Sequence, residues 1–505
     1  MRKNNLITWQ TLSITILVIA VLFLALYNLE HWPPTRYDEG VHLLVAKKLA
    51  LEGKYRFGPA LGPTVFFPVA AAFRVAGVGL LPARVIMVGY LLLCVAAFYA
   101  LNRYLGGWKV ATAGTLLLVS SPGVNILRWG RQVLGEVPAT LFFLLGILLW
   151  LRTLNGGRGD RQRGKLILSG VFLGLAILTK NQFFLLVPAW VLTWIANRLY
   201  YRQANHSTFA LPLFSAMVCV LAWYVGQAVF FPSGGRLASH NLQEWSNALS
   251  RGMFTFSPAR MLDAIRFLLG QDAFYAWVLP GVLYAVLLAW RRSKEGLQWA
   301  LLAFVVVVWL GWFIVFSVGW PRYAFLPLVV TAIFIAQFFH DWTGEYQLPF
   351  RELWKNIRLG QYDPILAGRA VLTVLFLLMV IRPLQGRFTE VVSEGDDAPQ
   401  RMASYIVAHV PPDAEIETYD PEVCFLSGYD CRFPPSEIMD AAIKYVWYNT
   451  SPPSEYYDFR QHGAPYLLIG EFGRWTHVYA PEVVGEHYDL VVSIAGYELY
   501  KERTE

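Results

Sequence analysis

Windows of predominantly apolar residues recur along this chain from Ile7 to Leu384 and then stop. A helix needs about 20 such residues to cross a bilayer, so their repetition leaves few folds open. The chain is expected to be mainly α, a polytopic α-helical membrane protein, with a soluble segment after the last span. Composition agrees, because 56% of residues are hydrophobic and only 15% charged, which is not the profile of a soluble domain. The first window, Ile7 to Leu29, is too long for a signal-peptide core and lacks a small-residue cleavage pattern after it, so it reads as a retained helix.

Orientation follows from Lys and Arg, which concentrate in short cytoplasmic loops. Arg2 and Lys3 precede the first span, and further basic clusters lie at Arg103 to Lys109, Arg152 to Lys165, Arg198 to Arg202, Arg291 to Lys294 and Arg351 to Arg369. Spans threaded between them number about eleven: Ile7 to Asn28, Leu81 to Tyr104, Val110 to Val124, Val137 to Leu151, Leu166 to Thr179, Phe183 to Ile195, Phe209 to Phe231, Ala273 to Trp290, Leu297 to Val318, Tyr323 to Phe339 and Ala367 to Leu384. Arg2 and Lys3 put the amino terminus in the cytoplasm, and an odd number of spans then puts the carboxyl-terminal domain outside a plasma or inner membrane. The expected division is a membrane domain, residues 1–384, and an extracytoplasmic α/β domain, residues 385–505. The inner loops also account for the net charge of +7, so nucleic acid is set aside as a partner.

Some stretches do not fit as spans. Thr64 to Gly79 is apolar but short and carries Arg74, which suits an interfacial or re-entrant segment. Pro232 to Asp272 reads as a long outer loop containing the amphipathic "ARMLDAIRFLLG". In "YDEGVHLLVAKKLALEGKYRF", Val41, Leu44, Val45 and Leu49 recur at helical spacing, with Lys48 and Glu52 spaced as an i,i+4 pair. A helix lying flat on the outer membrane surface is expected there.

Once loops are sorted by side, a group of charges remains at the outer ends of helices. The bases are Arg128 and Arg131 in "NILRWGRQVLGEVP", Lys180 in "LAILTKNQFF" and Arg322 in "GWPRYAFLP"; the acids are Asp38, Glu39 and Glu136. Each has a plain reading. Asp38 suits a helix cap as well as a catalyst, Glu39 suits the positive end of a helix dipole, Lys180 and Arg322 suit anchors, and Arg131 with Glu136 suits a solvated pair. Their coincidence on the side that disfavours cations points to a shared anion-binding pocket instead.

These residues carry a resemblance. The order "YDEGVHLLVAKKLALEGKYRF", "LGPTVFFPVAAAFRVAG", "ARVIMVGYLLLCVAAFYALNRYLGG", "SPGVNILRWGRQVLGEVPATLFFLLGILLWLR", "SGVFLGLAILTKNQFFLLVPAW" and "WPRYAFLPLV" resembles the polytopic GT-C glycosyltransferases, in particular the protein O-mannosyltransferases of family 39 and the transferases that place aminoarabinose on lipid A. It extends from Met1 to about Phe339. The resemblance implies an active-site acidic pair at Asp38 and Glu39, a further acid at Glu136 where Asp is more usual, and lipid-phosphate contacts at Lys180, Arg322 and Tyr323. His42 stands where many members have Tyr.

The implied donor is a sugar on a polyprenyl phosphate, and the implied acceptor is a protein, lipid or glycan at the extracytoplasmic face of the membrane. Breaking the sugar–phosphate bond develops negative charge that Lys180, Arg322 and Arg131 would stabilise, with Arg128 beside them. A carboxylate, for which Asp38 is the candidate, would take the acceptor's proton. No cofactor is called for; the outer carboxylates are chemically able to hold a divalent cation, although no His/Cys ligand spacing is present. A transporter or flippase is the rival reading, but transporter sites lie near the midplane between repeated halves, and no inverted repeat is evident.

In the carboxyl-terminal domain "PYLLIG", "HYDLVVSIA" and "YELYKE" have strand composition, and "MASYIVAHV" and "EIMDAAIKYVWY" suit helices. Trp447, Tyr456 and Trp475 are able to stack on sugars, but burial in the core is the expected fate of most aromatics. Cys424 and Cys431 bracket "FLSGYD", where Gly428 lets the chain turn, and outside the cytoplasm they are expected to form a disulfide.

Overall fold

The computed structural model describes residues 2–503 apart from 56–60, 156–159, 232–253, 271–272, 348–349, 360, 362, 394 and 396. Among the described residues, eight helices are long and apolar enough to cross a membrane, and a bent pair, Pro258–Gly270 with Phe274–Ala289, makes a ninth if counted as one span. The membrane bundle contains α1 (Arg2–Leu26), α2 (Tyr37–Glu52), α3 (Pro63–Ala76), α4 (Leu80–Ser120), α5 (Ile126–Arg131), α6 (Glu136–Leu154), α7 (Asp160–Thr179), α8 (Leu186–Ala196) and α9 (His206–Phe230). After 232–253 come α10 (Pro258–Gly270), α11 (Ala273–Ala276), α12 (Val278–Ala289), α13 (Lys294–Val315), α14 (Phe325–Trp342), α15 (Phe350–Arg358) and α16 (Pro364–Val392). The eleven expected spans fall on these helices, but Ala273 to Trp290 is divided between α11 and α12, and Ile7 to Asn28 falls on α1, whose apolar stretch Gln10–Leu26 is shorter than the eight. Two of them, Leu81 to Tyr104 and Val110 to Val124, share α4, whose run is broken at Gly107 with φ of +84°. Only glycine adopts that conformation at little cost. The two halves fold back on each other there, so that a Cβ on Gly114 would stand 3.0 Å from Asn102 Oδ1.

Small residues let the spans approach closely. Ser169 Oγ of α7 donates to Gly146 O of α6 at 2.7 Å, and Gly170 lies against the backbone of Pro212 in α9. Helix α14 is buried without interruption from Phe325 to Gln337, as expected of a helix that is apolar all round. The basic loops meet at one end of the bundle: Asn155 Nδ2 donates to Tyr104 Oη at 2.6 Å, Tyr200 Oη to Trp290 O at 2.6 Å, and Lys109 pairs with Glu345 at 2.7 Å.

The opposite end carries a small α/β unit. It comprises α17 (Ala398–His409), β1 (Ile416–Thr418), α18 (Pro421–Ser427), β2 (Cys431–Arg432), α19 (Ser436–Tyr448), β3 (Tyr466–Ile469), α20 (Glu471–Trp475), α21 (Pro481–His487), β4 (Tyr488–Ile494) and β5 (Tyr497–Glu502). The strand order is β2-β1-β3-β5-β4, with β1 parallel to both neighbours and β5 antiparallel to β3 and β4. The expected strands are β3, β4 and β5; β1 and β2 are additional. Cys424 and Cys431 are joined in a disulfide that ties α18 to β2. The last apolar helix runs on past Leu384 to Val392, with Pro383 inside it.

Several local expectations change. Helix α2 does not lie free on a lipid surface: Leu43, Ala46, Leu49 and Ala50 are buried, and Gly40 sits so close to α18 that a Cβ would stand 2.4 Å from Glu422 N. It is a wedge between the bundle and the α/β unit. Val41, Leu44 and Val45 are only half-buried, and Glu52 pairs with Lys54 instead of Lys48. Thr64 to Gly79 becomes α3, and Arg74 donates to Ala50 O at 2.9 Å and Leu49 O at 3.4 Å, satisfying carbonyls at the end of α2. Of the expected outer loop, 232–253 and 271–272 lie outside the described residues, while "ARMLDAIRFLLG" falls within α10. Trp475 and Tyr456 are exposed and Trp447 is half-buried, so none of the three aromatics is core: they lie where two units meet or at the surface.

Candidate active site

The chain enters α2 through Arg36, whose extended backbone makes it the N-cap, and no side chain caps the helix. Asp38 is therefore in the first turn and not at the cap. Its Oδ2 accepts from Arg322 Nη1 at 2.6 Å. Arg322 stands on a short 3₁₀ turn, Pro321–Ala324, that leads into α14, and its Nε is 3.8 Å from Glu136 Oε1. Glu136 opens α6, and the same oxygen pairs with Lys180 Nζ at the break after α7. Residues 38, 322, 136 and 180 thus form one alternating chain of acid and base, drawn from four separate segments.

The members differ in access. Asp38 and Arg322 line a cavity of about 500 Å³ between the bundle and the α/β unit, while Glu136 and Lys180 are buried behind them. Glu136 Oε2 is buried with no hydrogen-bond partner among the described residues, so hydrogen-bonding capacity is unused at this point. Burial raises the Asp38 pKa, but the charge and hydrogen bond of Arg322, with His42 and Lys180, outweigh it and hold the carboxyl below its usual range. His42 lies one turn along α2 from Asp38; its Nδ1 is 2.7 Å from Val133 O. Burial lowers its pKa, with the field of Asp38 opposing.

The remaining sequence candidates divide: Glu39 and Arg128 border the same cavity, Tyr323 adjoins Arg322, and Arg131 turns away. Glu39 is buried and bound by Arg84, whose Nη2 and Nε reach its two oxygens at 2.7 and 3.0 Å. Val133 N also donates to Glu39 at 3.2 Å, and Arg84 donates further to Leu29 O and Thr35 Oγ1. Arg131 does not join the cluster. Its Nη1 and Nη2 donate to Leu24 O and Tyr27 O at 3.0 and 2.6 Å, and it stacks over Trp32; the orphan carbonyls ending α1 claim it. Arg128 lines the cavity beside Trp129. Tyr323 packs against Trp312, with ring centroids 5.8 Å apart, its carbonyl accepts from Trp309, and its hydroxyl is hydrogen-bonded with Arg322, which keeps it with the Asp38–Glu136 cluster.

Sequence reading passed over Arg84, although an Arg inside an apolar run should find a partner. It also passed over Glu422, Glu471 and Phe472 in the wall contributed by the α/β unit, where Trp475, singled out as able to stack on a sugar, joins them. No group of three or more His, Cys, Asp or Glu side chains among the described residues is placed to hold a metal ion. Asp38, Glu39 and Glu136 are each committed to Arg or Lys.

Residues 60–225 match the family model described as dolichyl-phosphate-mannose-protein mannosyltransferase. No curated protein matches the chain. Solved structures do: ArnT from Cupriavidus metallidurans in the apo state is 13% identical with a TM-score of 0.63, covering 98% of both chains. The same protein bound to undecaprenyl phosphate gives 13% and 0.61 with the same coverage. Oligosaccharyltransferase AglB from Archaeoglobus fulgidus, in complex with an inhibitory peptide and a dolichol-phosphate, is 12% identical with a TM-score of 0.59, covering 98% of this chain and 74% of that one. The chain is therefore a multi-pass membrane protein with the GT-C glycosyltransferase fold, similar over residues 60–225 to the dolichyl-phosphate-mannose-protein mannosyltransferases.

Proposed function

We propose that this protein is a membrane glycosyltransferase that moves a sugar from a polyprenyl-phosphate donor to an acceptor at the extracytoplasmic face. The observation that carries the reading is the Asp38–Arg322–Glu136–Lys180 chain, whose Asp38–Arg322 end lines a cavity between membrane and α/β units and whose Glu136–Lys180 end lies buried behind it. Solved proteins of the same fold are described with undecaprenyl phosphate or dolichol-phosphate bound, which supports a lipid phosphate as ligand here. The topology is part of the proposal: the basic loops gather at the end opposite the cavity, which the positive-inside rule assigns to the cytoplasm.

Each cation now faces a carboxylate. A donor phosphate arriving at Arg322 and Lys180 would replace carboxylate oxygens with its own, and charge-assisted bonds in a water-poor site would stabilise the leaving group. Losing Arg322 raises the basicity of Asp38, because that guanidinium is what lowers its pKa most. Asp38 then accepts the proton of the acceptor hydroxyl as the new bond to the anomeric carbon forms. The bond to phosphate breaks, polyprenyl phosphate leaves as the anion, and the anomeric centre inverts. Glu39 holds the start of α2 in place through Arg84 and does not touch the reacting atoms. His42 supports the same turn.

The test is incubation of the purified protein with a panel of polyprenyl-phosphate sugars, with release of polyprenyl phosphate as readout. Release from at least one donor is expected. No release from any donor, with lipid bound, would favour a carrier of lipid-linked sugar.

A further inference from the structure

The cavity wall facing Asp38 belongs to the α/β unit and has a character of its own. Tyr37 of α2 stacks on Phe472 at 3.7 Å between ring centroids, and Phe472 meets Trp475 edge-on at 5.5 Å. Trp475 in turn contacts Trp320 and Trp447, each at 5.9 Å, and Trp320 meets Trp447 at 5.1 Å. The aromatic wall therefore crosses from one unit to the other and ends two residues from Arg322, whose guanidinium lies over Trp320 at 5.2 Å. Trp447 is held from outside: Arg260 of α10 donates to Val446 O at 3.1 Å and lies over the Trp447 ring. Trp475 remains 42% exposed although its neighbours fix it. Exposing the largest apolar side chain on a rigid mount is costly unless something covers it.

A second observation at the same cavity is independent of the rings. Glu422, at the start of α18, is 2% exposed; Oε1 accepts from Tyr497 Oη at 2.7 Å, while Oε2 is buried with no hydrogen-bond partner among the described residues. A buried acceptor without a donor carries a desolvation penalty. Glu471 adds a carboxylate to the same wall, paired with Arg36. An aromatic face beside acceptor oxygens matches a pyranose ring, which has an apolar C–H face and a rim of hydroxyl donors.

We propose that the wall formed by Trp475, Glu422 and Trp320 is the acceptor subsite and that the acceptor is a saccharide, its ring on Trp475 and a hydroxyl donating to Glu422. The inference rests on the transferase reading and names the acceptor class for it.

The experiment uses the full-length protein in detergent and titrates separate probes: oligosaccharides built from neutral hexoses, amino sugars or uronic acids; a Ser/Thr-rich peptide; phosphatidylglycerol nanodiscs; and undecaprenyl phosphate. Saturable binding of at least one oligosaccharide class is expected, weakened about ten-fold or more by Trp475→Ala, the scale of losing one large aromatic contact. Above about pH 8, where Glu422 is ionised, Glu422→Gln, which keeps shape but turns one acceptor into a donor, should weaken it as well. Trp475→Phe retains a ring and should recover part of the affinity, which separates a lost contact from a misfolded domain. Binding of only the peptide or only the lipid surface, or oligosaccharide binding unaltered in both Trp475→Ala and Glu422→Gln, overturns the inference. If undecaprenyl phosphate binds and no oligosaccharide does, the acceptor assignment alone falls; if undecaprenyl phosphate fails to bind and no donor is turned over, the transferase reading falls.

Discussion

Adjacent carboxylates at the start of α2 are assigned opposite duties, and Glu39→Ala tests the structural one. Glu39 and Arg84 are 1% and 0% exposed at their side chains, so solvent does not screen their bidentate pair. Removing Glu39 leaves the Arg84 guanidinium buried with only Leu29 O, Glu30 O and Thr35 Oγ1 as partners among the described residues. It also leaves Val133 N without its acceptor. Breaking a buried pair by deleting one partner costs about 3–5 kcal/mol, because the other charge stays uncompensated. Unfolding of purified protein in mixed micelles of increasing SDS fraction, followed by tryptophan fluorescence, should report a loss on that scale. Replacing both partners, Glu39→Leu with Arg84→Met, removes both charges and should recover much of it. A Glu39→Ala protein within about 1 kcal/mol of wild type, yet without transfer activity, would refute the assignment and return Glu39 to the chemistry.

Other outcomes follow from the same geometry. Gly40→Ala should loosen α2 from α18, since the new Cβ would sit 2.4 and 2.7 Å from backbone atoms of Glu422 that cannot swing away; faster hydrogen exchange across Pro421–Ser427 is the readout, and unaltered exchange contradicts the wedge. In the α/β unit, burial pushes the pKa of Asp420 up to about 6, Glu417 to about 7 and Glu422 to about 8. Carboxyls raised in the folded state bind protons more tightly there than unfolded, so their stability contribution is complete below about pH 4 and is lost as pH rises through these values. Hydrogen-exchange protection of β1 and β3 should fall between about pH 5 and 8 after correction for intrinsic rates, and Glu422→Gln should flatten the upper part of that fall. For topology, an alkaline phosphatase fusion after Glu505 should be active in a bacterial host and one at Arg161 inactive; the reverse would invert the membrane orientation and move the cavity to the cytoplasm.

What was legible in the sequence is what local pattern encodes. Apolar run length located the apolar helices, and sorting charges by side brought Asp38, Glu136, Lys180 and Arg322 to one end before any distance was known. Pairings between distant segments were not legible. Arg131 had the same sequence signature as Lys180, yet the free carbonyls at the end of α1 claim it, and nothing near Leu24 announces that. Glu39 and Arg84 are separated by a helix and a turn, and only the burial of both identifies them as a pair. Strand β1 is three residues with a buried Glu in the middle, too short and too polar to read as a strand. The tryptophan wall joins residues 320, 447 and 475 across two units, a proximity that no spacing rule contains.

The central claim is that Asp38 is the general base, and an isosteric substitution reaches it directly. Asp38→Asn keeps an oxygen to accept from Arg322 Nη1 and, since Asp38 is not the N-cap, removes no cap, so expression and melting temperature should stay near wild type. The measurement is the initial rate of sugar transfer from a polyprenyl-phosphate donor to a hydroxyl acceptor, with donor saturating. Loss of a positioned base predicts a fall of about 10²- to 10⁴-fold. Transfer at the wild-type rate in a folded Asp38→Asn protein would contradict the account and leave Asp38 as no more than the ion-pair partner of Arg322.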